Sequence, residues 1–260
     1  MPGKLLRLSD RLMAIAGFIE NGSDVADIGA DHGYLPVYLA QNGLARHIVA
    51  SDISLKSHKT AMNTAAIYNV TNRIKFIAAP GLTGIGELEA DTIVMAGMGG
   101  ETISGILADA PWTKHRSVKI IMQPQTKVDK LCSWLYDNDY VLRDATLVRD
   151  RGRIYVVMLA GGSSRSTEYN IQDAKLSNIA EADEARHPLD LSSIPNSHMP
   201  DIQLLSILAG KGDPLFPGYI EGLIGKARRA AEGLARSGAQ GYADASKRLY
   251  ALETMQNAEW

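Results

Sequence analysis

The fold is decided by the stretch Val25-Ala26-Asp27-Ile28-Gly29-Ala30-Asp31-His32-Gly33-Tyr34-Leu35-Pro36. An apolar run ends in Asp27 and Ile28, a glycine-punctuated turn follows, and an apolar pattern at helical spacing begins at Leu35. Strand, tight turn and helix in this order are typical of the start of a doubly wound α/β domain, where the turn binds a nucleotide-like ligand.

The turn favours a ligand that carries positive charge. Its spacing, Gly29-x-Asp31-x-Gly33, is not the GxGxxG of a dinucleotide site, in which glycines make room for a pyrophosphate at a helix N-terminus. Asp27 and Asp31 would repel a pyrophosphate, and they suit the amino and sulfonium groups of S-adenosylmethionine. The alternative is a purely structural turn, because acids also cap helices.

Length, composition and charge narrow the class of protein. A chain of 260 residues permits one large domain or a medium domain with a smaller one, and a hydrophobic fraction of 45% is ordinary for a globular core. Because the net charge is -2, contact with nucleic acid needs a local basic patch. The single Cys132 excludes an internal disulfide and fits a reducing compartment.

Two absences complete this picture. No apolar run approaches the ~18 residues that span a bilayer, and Lys4 and Arg7 near the N-terminus are not followed by an apolar signal core. We therefore predict a cytoplasmic protein with no membrane partner and no metal site. The sequence does not determine the oligomeric state.

The N-terminal helix brings a candidate ligand residue. We predict a helix that is capped by Ser9 or Asp10 and ends at Gly22. Arg11 lies in its first turn, where a cation is mildly unfavourable against the helix dipole. Arg11 is therefore either a ligand residue or an ordinary solvent-facing residue.

A second acid follows the second predicted strand. Asp52 comes ~25 residues after Asp27, close to the spacing of the acid that hydrogen-bonds a ribose in nucleotide sites. A carboxylate suits that role because it accepts hydrogen bonds from both hydroxyls. Asp52 can also cap the helix predicted over residues 54–68, instead of binding a ribose or in addition to it.

The order of elements indicates the architecture. Strands are predicted over residues 24–28, 47–52, 73–77, 91–96 and 117–122, with a final hairpin of 141–149 and 153–159 turned at Asp150-Arg151-Gly152. Five βα units followed by a hairpin are typical of class I methyltransferases, whereas a dehydrogenase more often ends in further βα units. The fourth strand runs into Gly97-Met98-Gly99-Gly100-Glu101, whose three glycines would let backbone approach a flat group.

The composition changes after residue 160. We predict a methyltransferase domain over 1–160, a linker or irregular segment over 161–200 with a weak helix at 168–186, and a helical hairpin over 201–260. The hairpin cations form either a solvated face or a patch for RNA phosphates. They are Lys226, Arg228, Arg229, Arg236, Lys247 and Arg248.

Several motifs together resemble one family. They are Leu8-Ser9-Asp10-Arg11-Leu12, the turn from Ile28 to Pro36, Ala96-Gly97-Met98-Gly99-Gly100-Glu101, Gln123-Pro124 and Gly152-Arg153-Ile154-Tyr155. Over residues 5–160 the chain resembles the bacterial tRNA (adenine-N1)-methyltransferases that modify the position-22 adenine. The resemblance implies an α/β Rossmann-like sheet, parallel with a C-terminal antiparallel hairpin, and a small α-helical C-terminal domain.

The resemblance also implies a cofactor, a partner and a set of site residues. The cofactor is S-adenosyl-L-methionine, the partner is tRNA, and the reaction is methyl transfer to N1 of an adenine. The implied cofactor residues are Arg11, Asp27, Ile28, Gly29, Asp31, Gly33, Asp52, Ile53, Ala79, Pro80 and Gly97. The implied catalytic residues are Asp31, His32, Gly97, Met98 and Gly99. His32 orients the base or the cofactor, or else caps the helix.

Two departures from the family pattern keep alternatives open. Ala79-Pro80-Gly81-Leu82 stands where the family has Gly-Asp-Gly-Leu, whose Asp contacts the cofactor adenine, and Gln125 stands where Asn is common. The first rival is a small-molecule methyltransferase. The second is a non-catalytic RNA-binding protein on a decayed methyltransferase scaffold, which Ala79-Pro80 would favour. A nicotinamide enzyme is disfavoured by Asp31, which lies where a phosphate would bind.

Overall fold

Apolar strands that alternate with helices form a seven-stranded sheet in the first of two compact units, Met1–Ser163. The second unit is Ser164–Trp260. The structure, a computed structural model, describes residues 5–115, 117–163, 199–237 and 240–258.

The sheet has the strand order β3-β2-β1-β4-β5-β7-β6. Its strands are β1 (Ser23–Ile28), β2 (Ala45–Ser51), β3 (Lys75–Ile77), β4 (Thr92–Gly99), β5 (Lys119–Thr126), β6 (Tyr140–Asp150) and β7 (Arg153–Gly162). Neighbours among β1 to β5 pair in parallel, whereas β7 pairs antiparallel with both β5 and β6. This sheet confirms the predicted fold class, and its order reverses between β1 and β4, where such sheets bind ligands.

The first unit has five described α-helices, one before β1 and one after each of β1, β2, β4 and β5. They are α1 (Asp10–Ala16), α2 (Tyr34–Asn42), α3 (Leu55–Ile67), α4 (Gly100–Ala108) and α5 (Val128–Asp137). Ser9 is the N-cap of α1, since its side chain accepts from the backbone N–H of Leu12. The prediction that this helix reaches Gly22 was wrong: Phe18 and Ile19 already make the short i→i−3 bonds that tighten a helix end.

The core lies on both faces of the central strands. β4 and β5 read as nearly continuous apolar runs because helices cover both of their faces. Their side chains at Ile93, Met95, Ile120 and Ile121 are fully buried. This burial fixes the carboxyl ends of β1, β4 and β5 at one rigid edge.

β4 continues past its predicted end at that edge, and β7, which runs antiparallel, continues past its own at the opposite edge. Met98 pairs with Pro124 and Gly99 with Thr126, with register shifts that accommodate the proline in the ladder. Gly97 to Gly99 therefore belong to β4 rather than to a loop. β7 likewise runs through Gly161 and Gly162, so the sheet extends two residues into the predicted linker.

The β6–β7 connection is the tight turn that the sequence predicts. Arg151 and Gly152 have φ of 48° and 78°, the left-handed pair of a two-residue type I′ hairpin. Asp150 pairs with Arg153 on either side of it.

The second unit contains three described helices, α6 (Met199–Gly210), α7 (Phe216–Ser237) and α8 (Tyr242–Gln256). α7 and α8 form the predicted helical hairpin, and Arg228 on one contacts Glu253 on the other at 2.8 Å. α6 was not predicted, because its apolar residues surround the helix and give no one-sided period. The weak helix predicted at 168–186 lies outside the described residues. None of the described helices has the length and apolar character needed to cross a membrane.

Candidate cofactor and base site

The turn after β1 is held by the end of the neighbouring strand β2. The backbone N–H groups of Gly29 and Ala30 both donate to the Ser51 carbonyl, at 2.8 and 3.0 Å. Ile28, which is 2% exposed, pairs with Ser51 and Met95 at the last positions of β1. The turn therefore opens at the carboxyl edge of the sheet, beside the end of β4.

The turn glycines are required by backbone conformation, and Gly33 by packing as well. Gly29 and Gly33 have φ of 71° and 69°, and Asp31 between them has φ of 45°, which Asp tolerates better than most residues. A Cβ at Gly29 would collide with the terminal methyl of Met98. One at Gly33 would lie 2.9 Å from Ala61 Cβ, so Gly33 lets α2 pack closely on α3.

Asp52 organises the cleft between the turns after β1 and β2. Its Oδ2 accepts from the backbone N–H of Asp31 at 3.1 Å, and its Oδ1 accepts from the N–H of Ser54 at 2.8 Å. Ser54, not Asp52, is the N-cap of α3, so the capping alternative for Asp52 is wrong. Each carboxylate oxygen keeps a second lone pair that a ribose hydroxyl can use.

Asp27 is a buried acid directly beside this cleft. It lies in the ladder of β1, pairs with Ala50 and Val94, and is only 5% exposed. Burial raises the pKa of the Asp27 carboxyl to about 7, and the negative charge of Asp52 adds to the rise. A buried carboxyl next to a second acid is stabilised in its charged form by a cation that enters the cleft.

Asp31, His32 and Tyr34 form an exposed polar and aromatic rim. Asp31 Oδ1 accepts from Ser57 Oγ at 3.3 Å, and His32 Nε2 lies 3.4 Å from Asp31 Oδ2. The rings of His32 and Tyr34 stack with centroids 5.4 Å apart and planes 14° from parallel. Gly33 is the N-cap of α2, which has no side-chain cap, so the alternative that His32 caps this helix is wrong.

The apolar and backbone side of the cleft follows β2 and β3. Ile53 is 73% exposed directly after Asp52, although it is a large hydrophobic side chain. The carbonyl of Ala79 accepts from Ser51 Oγ at 3.4 Å, and Pro80 is exposed beside it. Ile53 and Pro80 are thus exposed after the ends of β2 and β3, and Pro80 stands where the family pattern has an acid.

The three glycines at the end of β4 differ from one another in backbone conformation and in packing. Gly97 has φ of 79° and is exposed, whereas Gly99 is extended, with φ of −71°. A Cβ at Gly100 would collide with the carbonyl of Lys127, so this glycine serves the packing of α4 against α5. The prediction that all three glycines clear space for a flat group was therefore wrong for Gly100. Gly97 and Gly99 remain candidates.

Arg11 reaches the end of β4 and not the turn after β1. Its Nη1 donates to Oε1 of the fully buried Gln123 at 2.6 Å, and its Nε lies 3.9 Å from Asp150 Oδ2. Its guanidinium also lies 5.9 Å from the centre of the Tyr155 ring. The solvent-residue alternative for Arg11 is therefore wrong.

Two polar groups flank Gly97. A Cβ at Gly97 would lie 3.8 Å from Arg11 Nη1 and 4.0 Å from Gln125 Nε2. Gln123, Gln125, Asp150 and Tyr155 were not among the predicted site residues, although the Gln-Pro and Gly-Arg-Ile-Tyr motifs contain or adjoin them. Their contribution depends on β5 and β7 lying side by side, which spacing alone does not show.

A surface groove also lies away from this cleft. It has a volume of about 670 Å³ and is lined by residues of β2 and β3 and by Leu88 and Glu89. Two of its cations are neutralised locally, because Arg46 pairs with Asp24 and Lys75 pairs with Glu89. This groove has none of the features of the cleft between β1, β2 and β4.

Comparison with known proteins agrees with the fold. Residues 8–158 match the methyltransferase domain family. The tRNA (adenine(22)-N(1))-methyltransferase of Bacillus subtilis is 33% identical over 165 residues, which cover 64% of this chain and 69% of that protein. The crystal structure of the B. subtilis m1A22 tRNA methyltransferase TrmK has a TM-score of 0.74 at 25% identity, over 97% of this chain and 100% of that one.

A further structure, M. capricolum TrmK in complex with S-adenosyl-homocysteine, shares the fold with a TM-score of 0.66 at 21% identity, over 96% of this chain and 98% of that one. Fold and cleft thus define a class I methyltransferase. The chain belongs to the family of the B. subtilis tRNA (adenine(22)-N(1))-methyltransferase, as its motifs indicate.

Proposed function

We propose that this protein transfers a methyl group from S-adenosylmethionine to N1 of an adenine in tRNA, at position 22 as in its B. subtilis relative. The observation that carries the proposal is the pairing of two sites at one sheet edge. A cleft with two acids, Asp27 and Asp52, opens beside the exposed end of β4 at Gly97, where a base can approach.

The residues of the cleft fit the cofactor. Asp27 offers a buried carboxyl with a raised pKa to the cationic methionine end, and Asp52 has lone pairs left for the ribose hydroxyls. Ile53 presents an exposed apolar face to the adenine ring. Ala79 and Pro80 would contact that ring through backbone, where the family pattern has an acid. When it is bound, the cofactor supplies an electrophilic methyl group.

The base site needs positioning more than acid–base chemistry. N1 of adenine has its own lone pair, so its attack requires no strong base, and correct alignment supplies most of the rate. Met98 packs over Gly29 and so joins the base side to the cofactor turn. Asp31 lies on the exposed rim, where its carboxylate stabilises the positive charge that develops on the base.

Side chains around Gly97 can recognise the base. An amide such as Gln125 pairs with N6 and N7 of adenine, which leaves N1 free for the methyl group. The parallel rings of His32 and Tyr34 offer a stacking surface for a nucleotide that has left its own stack. Extruding that nucleotide costs a few kcal/mol, which stacking and amide contacts offset.

One observation favours a second candidate. Ala79-Pro80 replaces the acid that the family uses on the cofactor adenine, and a protein that had lost cofactor binding would show such a change. That protein would be a non-catalytic RNA-binding protein. The two acids Asp27 and Asp52 argue against it, because a relic has no need of a buried acid beside a second, partly exposed one.

The test is methyl transfer with the purified full-length protein. Unmodified tRNA is incubated with methyl-labelled S-adenosylmethionine, and the digested nucleosides are identified by mass spectrometry. We expect 1-methyladenosine, and none when a tRNA with guanine at position 22 is used. Label in any other nucleoside would contradict the N1 assignment. Cofactor binding without transfer to any RNA would favour a small-molecule methyltransferase, and no cofactor binding would favour the non-catalytic protein.

A further inference from the structure

We propose that the tip of the β6–β7 hairpin, residues 149–153, is a phosphate-binding site that holds the RNA strand beside the target base. This inference deepens the proposed function and rests on it for the choice of partner. The hairpin tip, as this segment is called below, has the sequence Arg149-Asp150-Arg151-Gly152-Arg153.

The hairpin tip concentrates positive charge at the surface. Arg149, Arg151 and Arg153 are all exposed, and none of the three forms an ion pair with another residue in the described ranges. Asp150, the acid among them, is 14% exposed at its side chain and is directed to Arg11, whose Nε lies 3.9 Å away. The tip thus presents three cations to solvent in a chain whose net charge is -2.

The turn itself carries an arginine where the backbone disfavours one. The first position of a type I′ turn needs positive φ, for which Asn, Asp and Gly are the usual residues. Arg151 occupies it with φ of 48°. A side chain that breaks the local preference, while it forms no ion pair with any residue that the structure describes, points to a role in binding.

The hairpin tip lies next to the base site. Asp150 contacts Arg11, Arg11 Nη1 donates to Gln123 at 2.6 Å, and the same Nη1 lies 3.8 Å from the position of a Cβ on Gly97. A nucleotide extruded toward Gly97 keeps its flanking phosphates at the mouth of the site. Arginines there fix the strand in register without reading its sequence.

The cations of the α7–α8 hairpin are the competing RNA patch, and several of them are neutralised. Arg228 pairs with Glu253 at 2.8 Å, Arg236 with Glu232 at 3.7 Å and Arg248 with Asp201 at 3.1 Å. Each such pair has no net charge to offer a phosphate. Lys226, Arg229 and Lys247 form no ion pair with a described residue and make a matched set for comparison.

The first test compares two triple variants of the full-length protein with equal loss of charge. One is Arg149→Gln, Arg151→Gln, Arg153→Gln, and the other is Lys226→Gln, Arg229→Gln, Lys247→Gln. The Kd for unmodified tRNA is measured against KCl concentration, and the Kd for S-adenosylmethionine is measured in parallel.

We expect the tip variant to bind tRNA at least ~10-fold more weakly, with a salt slope smaller by about 2–3, since each phosphate contact contributes about 0.7–0.9 to that slope. Its cofactor Kd should be unchanged. The helical variant should keep the wild-type slope. An unchanged slope in the tip variant, or an equal loss in both variants, would overturn the proposal.

Arg151→Asn separates binding from folding. Asn suits the left-handed turn position better than Arg does, so the melting temperature should stay the same or rise. The salt slope should nevertheless fall by about one. A lower melting temperature with unchanged tRNA affinity would show a structural role and overturn the proposal.

The outcomes distinguish this site from the proposed function. If the wild-type protein binds tRNA through the hairpin tip but transfers no methyl group, the proposed function fails and the phosphate site stands. If it methylates tRNA and the tip variants keep wild-type affinity and slope, the phosphate site alone fails.

Discussion

The buried carboxyl of Asp27 makes cofactor binding depend on pH in a direction that can be worked out. Its pKa is about 7 in the folded protein against an ordinary value of 3.8, because burial and the nearby Asp52 disfavour its charge. At 1.36 kcal/mol per pKa unit, this difference corresponds to about 4 kcal/mol. A cation bound beside Asp27 stabilises the ionised carboxylate and so lowers the pKa of Asp27.

The direction in which pH changes the cofactor affinity follows from proton release. Below pH 7 the free protein holds a proton on Asp27 that a bound cation would displace, so the affinity for S-adenosylmethionine should rise with pH. The rise should approach ~10-fold per pH unit between pH 5.5 and 6.5 and level off above pH 7. In Asp27→Asn the affinity should be weaker at pH 7.5 and independent of pH across this range.

The effect of pH on the free energy of unfolding has the opposite sign. Between pH 3.8 and about 7 the unfolded chain has an ionised Asp27 while the folded protein keeps it neutral, so the folded state binds more protons. The free energy of unfolding without ligand should therefore fall as pH rises through this window, by up to about 4 kcal/mol in total. Asp27→Asn should remove that part of the pH dependence.

Isothermal titration calorimetry in buffers of different ionisation enthalpy measures both the affinity and the protons released. His32→Gln is the control, because it removes the exposed rim histidine beside Asp31 and leaves Asp27 intact; this variant should keep the wild-type pH dependence. A wild-type affinity that is flat from pH 5.5 to 7, with no proton released, would refute the reasoning and remove Asp27 from the cofactor site.

Two further predictions concern the cofactor cleft and the base site. Asp52→Ala should weaken S-adenosylmethionine binding ~10-fold or more, since hydrogen bonds to a charged group contribute about 1.5–3 kcal/mol. Asp52→Asn, which keeps an acceptor for the backbone N–H of Asp31 or Ser54, should lose less. Folded variants that bind the cofactor as tightly as the wild-type protein does would refute the ribose role. Gly99→Val should keep its melting temperature and cofactor affinity, because Gly99 is extended and its added Cβ would meet only Thr126 Oγ1, at 3.3 Å, and Thr102 Oγ1, at 3.8 Å. It should nevertheless lose ~100-fold in methyl transfer if the base lies there, whereas a joint loss of melting temperature, cofactor affinity and turnover would show a purely structural glycine.

Local sequence was enough to predict the architecture and the cofactor edge. Buried parallel strands are continuous apolar runs, and tight turns need residues that accept positive φ, so β1, its turn and the Arg151-Gly152 hairpin could be read from adjacent residues. The spacing from Asp27 to Asp52 likewise predicts that the two acids lie at one edge of the sheet, because one βα unit brings consecutive strand ends to that edge. Helix α6 was not predicted from the sequence, because its apolar residues surround the helix and leave no one-sided period to detect.

Only the tertiary structure decided which residues meet at the end of β4. Arg11, Gln123 and Asp150 are far apart in the chain, and the pairing of β5 with β7 and the packing of α1 bring them together. The pKa of Asp27 also depends on tertiary structure, because it reflects burial between strands and a neighbour from another strand end. Adjacent residues encode backbone conformation and periodicity, whereas burial, desolvation and contacts between distant segments exist only once the chain has folded.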